Sequence, residues 1–379
     1  MKSICAVGGV SASGIKEGKF GLALIRASGT AAGVFTSNKM RAAPVDVMMD
    51  RMRKGTLDAV VVNSGCANAY TGERGYRDAV EMCAVAAAPL GLEPESVGVA
   101  STGVIGRYLD LPLIRDQCER AAPHLARNGD AEDAAARAIM TTDTFPKHAL
   151  VETESFSVGG ITKGSGMIAP NMGTMLAFIY TDAEVEAPVL SDILRTATRR
   201  SFNRVVVDGD TSTNDVAFCT ATGAAGRVDR DELARAIETV CRDLAVQIAR
   251  DGEGATKLLE VTVRGAPDED AAADVARTVV ASPLVKTAIY GEDPNWGRVV
   301  AAAGRAGVAF DPYAVSLRVG GTPLVLRGEI VADLVQAKAA MRGDTVAFDL
   351  DLAAGDGKAT AWGCDLTEKY VEINGKYTT

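Results

Sequence analysis

Short apolar runs alternate with Gly- and Ser-rich turns through the first 65 residues. The runs FGLALIRA (20–27), AAGVFTS (31–37) and DAVVVNSG (58–65) are brief and bounded by turn residues, which predicts strands. Residues 74–90 read as a helix and VGVAS (97–101) as a further strand. Residues 109–140 read as mostly helical, broken near Pro123 and Gly129. A Gly-rich zone, VGGITKGSGMIAPNMG (158–173), then abuts the apolar run TMLAFIY (174–180). Its end at residue 173 is the best candidate boundary. In the second half, Leu233, Ile237, Cys241, Leu244 and Ile248 recur at spacings of three or four, so residues 230–249 form a helix with one apolar stripe. The stretches 257–265, 315–321, 344–352 and 369–375 read as strands. No repeat with a period of 20–50 residues interrupts this mixed α/β pattern.

Composition narrows the class. The 379 residues predict two or three folding units. With 47% apolar and 23% charged residues, disorder, collagen and coiled coil are excluded as the main architecture. The net charge is −9 and there is no basic run, which speaks against nucleic-acid binding. No apolar run approaches the roughly 18 residues that span a bilayer, and the first residues lack a signal-peptide core. A soluble, cytoplasmic protein is expected. Seven cysteines occur without a CxxC, so buried reduced thiols are expected rather than disulfides or zinc. The only two histidines, His124 and His148, are expected to be structural or on the surface, which restricts His-based nucleophilic schemes.

Three short patterns fail on context. GVSASGIK (9–16) has Ile15 where a P-loop needs Lys. GSGMIA (164–169) is followed by Pro170, Gly173 and a strand-like run, not by the helix of a dinucleotide site. DGDTSTND (208–215) lacks the Gly at the sixth position and the Glu at the twelfth of a calcium loop. With no clustered His, Cys or carboxylate pattern, no metal is expected.

One junction carries possible chemistry. The Gly-rich loop bearing Lys163, Ser165 and Asn171 delivers Thr174 to the start of a buried-looking strand. Gly173 presents no side chain to obstruct attack on its carbonyl. An N-to-O acyl shift and hydrolysis there would release Thr174 as a new N-terminus. Its α-amine, with a reference pKa of about 7.7–8.0, could then take the proton from its own hydroxyl. Read alone, the same residues also fit a plain loop entering a core strand.

Longer stretches bear on this choice. KGSGMIAPNMGTMLAF (163–178) resembles the processing-site motif of the ornithine acetyltransferase family, the glutamate N-acetyltransferases of arginine biosynthesis. STGVIG (101–106), MTTDTFPK (140–147), VDGDTSTND (207–215), DGEGATK (251–257), GEDPNWGR (291–298) and YVEINGKYTT (370–379) match further family motifs in order. The resemblance covers essentially the whole chain. It implies cleavage between Gly173 and Thr174 into an α chain (1–173) and a β chain (174–379). Thr174 would be the nucleophile that takes acetyl from N-acetylornithine and passes it to glutamate. Thr102 and Gly103 would form the oxyanion hole, and Thr141, Lys163, Thr174, Glu253, Asn374 and Thr379 would contact substrate. Lys163 suits an α-carboxylate and Glu253 an ornithine amine. The family has Ala where this chain has Gly173; Gly is smaller and more flexible. VDGDTSTND and GEDPNWGR are expected near the site, without individual roles.

The resemblance also implies an α/β fold, a layered sandwich of helices and sheets superficially like the N-terminal-nucleophile hydrolases. It implies a heterotetramer of two α and two β chains. No cofactor is expected, and acetyl-CoA is left open as a second acetyl donor. Two rivals stand beside this reading. One is an amidohydrolase or aminopeptidase of the same superfamily, with water as acceptor. The other is a non-catalytic amino-acid-binding protein.

Overall fold

The computed structural model describes residues 1–169 and 175–376. Its strands, in chain order, are β1 (Ser11–Glu17), β2 (Phe20–Phe35), β3 (Thr56–Cys66), β4 (Val97–Val104), β5 (Lys147–Glu152), β6 (Ser157–Lys163), β7 (Leu176–Glu184), β8 (Val205–Val206), β9 (Val216–Arg227), β10 (Leu258–Ala266), β11 (Ser316–Val319), β12 (Thr322–Leu326), β13 (Glu329–Ile330), β14 (Thr345–Asp351) and β15 (Gly357–Cys364). The helices are α1 (Ala43–Arg51), α2 (Gly72–Leu90), α3 (Leu111–Ala121), α4 (Gly129–Ala138), α5 (Ala187–Arg200), α6 (Arg230–Arg250), α7 (Glu269–Val280), α8 (Pro283–Tyr290), α9 (Trp296–Gly304), α10 (Leu334–Ala340) and α11 (Glu368–Lys376).

The strands form two sheets. The first has the order β4-β3-β2-β9-β7-β6-β5, with β1 also paired to β2; the second runs β13-β12-β11-β14-β10-β15-β8. Period-two alternation explains how both faces of the first sheet are covered. Along β7, Leu176, Phe178 and Tyr180 join the core shared with α1–α4, while Ala177 and Ile179 join the core shared with α5 and α6. In the second sheet, Leu258, Trp362 and Cys364 pack toward α6, and Val261, Val263, Ala359 and Ala361 pack with α7. The layers are therefore helices, sheet, α5 and α6, sheet, and α7. This is the expected α/β sandwich. Within the middle layer, the stripe Leu233–Ile248 of α6 is buried as its spacing predicts. Each such side chain contributes about 1.5–3 kcal/mol of burial, which outweighs helix propensities of a few tenths per residue.

Three elements differ from expectation. Residues 20–27 and 31–37 are not two strands: β2 is continuous, and its pairing with β3 slips between Arg26 and Gly29 where a turn was expected. Part of the Gly-rich zone is strand β6, not loop. A Cβ on Gly159 would lie 2.5 Å from the Ser3 carbonyl oxygen, and one on Gly160 would lie 2.8 Å from Leu244 of α6. These glycines serve close packing. Finally, 369–375 is helix α11 rather than a strand. The Thr367 hydroxyl accepts the Lys369 N–H at 3.2 Å, and Lys369–Glu372 and Glu372–Lys376 pair along the helix.

Residue 173 does not separate the sheets. Strand β7 lies between β6 and β9, so segments on both sides of that residue share one sheet. No described helix is long and apolar enough to cross a membrane.

Candidate active site

Strand β4 ends at the site. It runs parallel to β3, with Ser64 opposite Thr102 and Gly65 opposite Gly103. Gly103 has φ +132°, and a Cβ there would lie 2.4 Å from the Gly65 carbonyl carbon. Only glycine fits this position. Thr102 is buried, and its Oγ1 accepts a hydrogen bond from Lys163 Nζ at 3.1 Å.

Lys163 is the last residue of β6 and is only 3% exposed. Burial pulls its ammonium below the ordinary lysine range; Asp143 and, more weakly, Asp215 and Glu253 oppose that, while Lys147 adds to it. The counter-charge is built locally. Asp143 accepts from Lys147 Nζ at 2.7 Å, Gly164 N–H at 2.6 Å and Thr141 N–H at 3.0 Å. Burial pushes the Asp143 carboxyl up, but the Lys147 and Lys163 charges and the hydrogen bonds outweigh it and bring the pKa to about 2. Lys147 also donates to Asp251 at 2.5 Å. Two cations and two carboxylates thus balance beneath the site.

The opposite wall comes from the stretch after α6 and from α11. The Glu253 N–H donates to the Ser165 carbonyl at 2.8 Å, and Asn374 Nδ2 donates to Glu253 Oε2 at 2.8 Å. A Cβ on Gly166 would lie 2.4 Å from the Glu253 carboxyl carbon, so glycine lets that carboxylate seat. Thr142 and Ser165 hydroxyls share a hydrogen bond of 2.7 Å.

These residues line one cavity. Thr102, Gly103, Thr141, Lys163, Glu253 and Asn374, anticipated from sequence, face it together. Gly173, Thr174 and Thr379 lie outside the described residues. Thr142, which the sequence did not single out, also lines the cavity, as do Ser212, Thr213 and Asn214 of the stretch expected near the site without individual roles. The signal was present as VDGDTSTND, but nothing in the string assigns its roles. Asn214 Nδ2 donates to the Ala67 carbonyl at 2.7 Å and the Ser101 carbonyl at 2.8 Å, which holds β4 just before Thr102. None of residues 291–298 of GEDPNWGR lines the cavity among the described residues. Asn295 caps α9 by accepting from the Arg298 N–H at 3.2 Å, and Trp296 packs against the core of the second sheet.

The arrangement presents an ammonium, a carboxylate, a side-chain amide and several hydroxyls within one cleft. That set is complementary to the charged ends of an amino acid. Neither histidine lines the cavity. His148 contacts Ser3 Oγ at 2.9 Å, and burial lowers its pKa against the pull of Glu132 and Asp133. Among the described residues, no group of three or more His, Cys, Asp or Glu side chains is placed to hold a metal ion.

Comparison with known proteins places the chain in a family. The ArgJ family model matches residues 7–379. A glutamate N-acetyltransferase from Methanosarcina mazei is 51% identical, with 99% of this chain and 98% of the relative covered. An arginine biosynthesis bifunctional protein ArgJ from Archaeoglobus fulgidus is 48% identical, with 99% of this chain and all of the relative covered. The crystal structure of a bifunctional ArgJ protein from Bacillus halodurans superposes with a TM-score of 0.51 at 41% identity, covering 52% of this chain and 96% of that one. The chain belongs to the ArgJ family of acyltransferases of arginine biosynthesis.

Proposed function

We propose that the protein transfers the acetyl group of N2-acetyl-L-ornithine to L-glutamate through an acetyl ester on Thr174, after cutting its own chain at Gly173–Thr174. The Thr174 hydroxyl attacks the Gly173 carbonyl, the amide becomes an ester, and water hydrolyses it to a Gly173 carboxylate and a free Thr174 amine. That amine takes the hydroxyl proton as Thr174 attacks the acetyl carbonyl of the donor. Ornithine leaves with a proton on its amine. The amine of glutamate then attacks the acetyl ester and restores the Thr174 hydroxyl. Thr102 and Gly103 stabilise the oxyanion, a role typically worth about 10²–10³ in rate per donor. Lys163 binds the α-carboxylate, Glu253 the ornithine amine, and Thr141, Asn374 and Thr379 complete the contacts.

One observation supports this reading most directly. Six residues from separate stretches of the chain, Thr102, Gly103, Thr141, Lys163, Glu253 and Asn374, line a single cavity. The ArgJ relatives support the substrates. Acetyl-CoA is a candidate second donor to glutamate, as the bifunctional names of relatives suggest. We place the processed enzyme in the cytoplasm as two α and two β chains.

Intact-mass measurement of the denatured protein, with and without N-acetylornithine, tests the scheme. The expected result is fragments 1–173 and 174–379, the second gaining one acetyl mass that glutamate then removes as N-acetylglutamate. Thr174→Ala should remain one uncut, inactive chain. Normal α and β chains from that variant would remove Thr174 as the processing residue. Loss of the acetyl group to water without N-acetylglutamate would instead identify an amidohydrolase.

A further inference from the structure

The stretch 207–215 touches the chain on both sides of the proposed cleavage point. On the upstream side, Asp208 Oδ2 accepts the Met167 N–H at 2.6 Å and Oδ1 accepts the Ile168 N–H at 2.9 Å. The Ile168 carbonyl in turn accepts the Val207 N–H at 2.9 Å. On the downstream side, Asp215 Oδ1 accepts the Met175 N–H at 2.8 Å, and the Met175 carbonyl accepts the Val216 N–H at 3.2 Å. Met175 nitrogen is bonded covalently to the Thr174 carbonyl carbon, so Asp215 grips the peptide that follows the proposed nucleophile. The stretch is itself anchored: Thr36 Oγ1 donates to the Ser212 carbonyl at 2.7 Å, and the Thr36 N–H donates to the Asp215 carbonyl at 3.0 Å.

Asp215 is fully buried, and among the described residues its second oxygen, Oδ2, has no hydrogen-bond partner. A buried carboxyl left half-satisfied is costly, and a strand entry alone does not need one, since a serine or asparagine also accepts an amide hydrogen. We infer that Asp208 and Asp215 are positioning residues that clamp the two ends of segment 169–175 and hold the Gly173–Thr174 peptide for self-attack. The inference rests on the self-cleavage reading above and gives VDGDTSTND a role that reading leaves unassigned. Fixing both ends restricts the reacting groups to near-attack geometries, which is the main means of accelerating an intramolecular acyl shift. Burial raises the Asp215 carboxyl well above the usual range, against the opposing Met175 N–H and Lys163 charge. Ionised or neutral, the carboxyl keeps an oxygen as acceptor for the Met175 amide.

The test follows self-cleavage of the full chain by intact mass over time in the wild type, D208A, D215A and D215N. Asparagine keeps an acceptor toward Met175 where alanine removes it. We expect D208A, which loses the acceptor of two backbone amides, and D215A, which loses that of one, each to cleave about ten- to a hundredfold more slowly, and D215N to recover at least tenfold of the D215A loss. Hydrogen exchange at the Met175 amide, measured in the uncut T174A chain, should accelerate in T174A/D215A but not in T174A/D215N. That arm reads the clamp even if a variant accumulates poorly in cut form. A D215A chain cut at the wild-type rate overturns the clamp, as does D215N cut as slowly as D215A. A wild-type chain that stays whole and unacetylated overturns the cleavage reading and the clamp together. A cut wild type with unaffected variants overturns the clamp alone.

Discussion

Lys147 has no exposed surface, yet it carries a charge between two carboxylates, Asp143 at 2.7 Å and Asp251 at 2.5 Å. Removing one partner from such a cluster leaves an uncompensated buried charge, at a cost of about 3–5 kcal/mol. Lys147→Met should lower stability by that amount in urea unfolding. The sign with pH follows from Asp143, whose folded pKa of about 2 lies below an unfolded value of roughly 3.9. Its ionised form stabilises the fold above about pH 4, by on the order of 2–3 kcal/mol. That contribution is lost as pH falls from about 4 to 2. Asp143→Asn should be less stable than wild type at pH 7 and lose less between pH 4 and 2; parallel acid-unfolding curves for the two proteins would contradict this. The sequence exposed Lys163 and Glu253 through the motifs around them. It hid Lys147, because MTTDTFPK carries no pattern that separates a buried lysine from a solvated one. Burial there comes from strands and loops distant in the chain.

At the scale of elements, α11 shows how a local pattern misleads. Its Tyr-Val-Glu-Ile order alternates like a strand, yet none of its described residues is buried. The period-two signal therefore reports no buried face. What fixes the helix is its start, where the Thr367 hydroxyl donates to the Gly254 carbonyl at 2.7 Å. Gly254 has φ +74°, and a Cβ on it would lie 2.5 Å from the Tyr370 nitrogen. Gly254→Ala should push α11 away and separate Asn374 from Glu253. The expected effect is about a tenfold rise in KM for N-acetylornithine, equivalent to about 1.4 kcal/mol, with kcat changed much less. An unchanged KM would remove α11 from substrate binding. Elements with a packed face were more legible. The stripe of α6 and the apolar runs of β3, β4 and β7 stand where they were expected, because burial imposes their periods directly. Strand β6 was hidden by glycines that exist to admit Ser3 and α6.

Over the whole molecule, the proposed cut falls in the chain between β6 and β7, two neighbouring strands of one sheet. Strands β1–β6 lie upstream of residue 173, and β7 and β9 lie downstream, paired to β6 and β2. The core along the helix-covered face draws from both parts, with Phe178 and Phe218 beside Leu22, Val61 and Ala138. Cleavage should therefore leave one folded body. Native mass spectrometry of the processed protein should show no free α or β chain, and the two should unfold in one transition. A folded 1–173 chain eluting alone would contradict this. The two-sheet architecture was legible only as an α/β alternation. The insertion of β7 between β6 and β9 was not, because strand order depends on contacts far apart in sequence.

The seven thiols are distributed through these same cores, and all are buried and unpaired. Burial pushes Cys83 and Cys219 up to about 12, so at neutral pH they are protonated as well as shielded. The native protein should therefore react slowly with thiol reagents, and Cys66, 7% exposed where it lines a cavity, should be the first to do so. A cysteine introduced on the outer side of α2 and another on α6, one in each proposed chain, would be the two positions that accept a dye or spin label. The protein would thus supply a slowly reacting background for distance measurements across the cut.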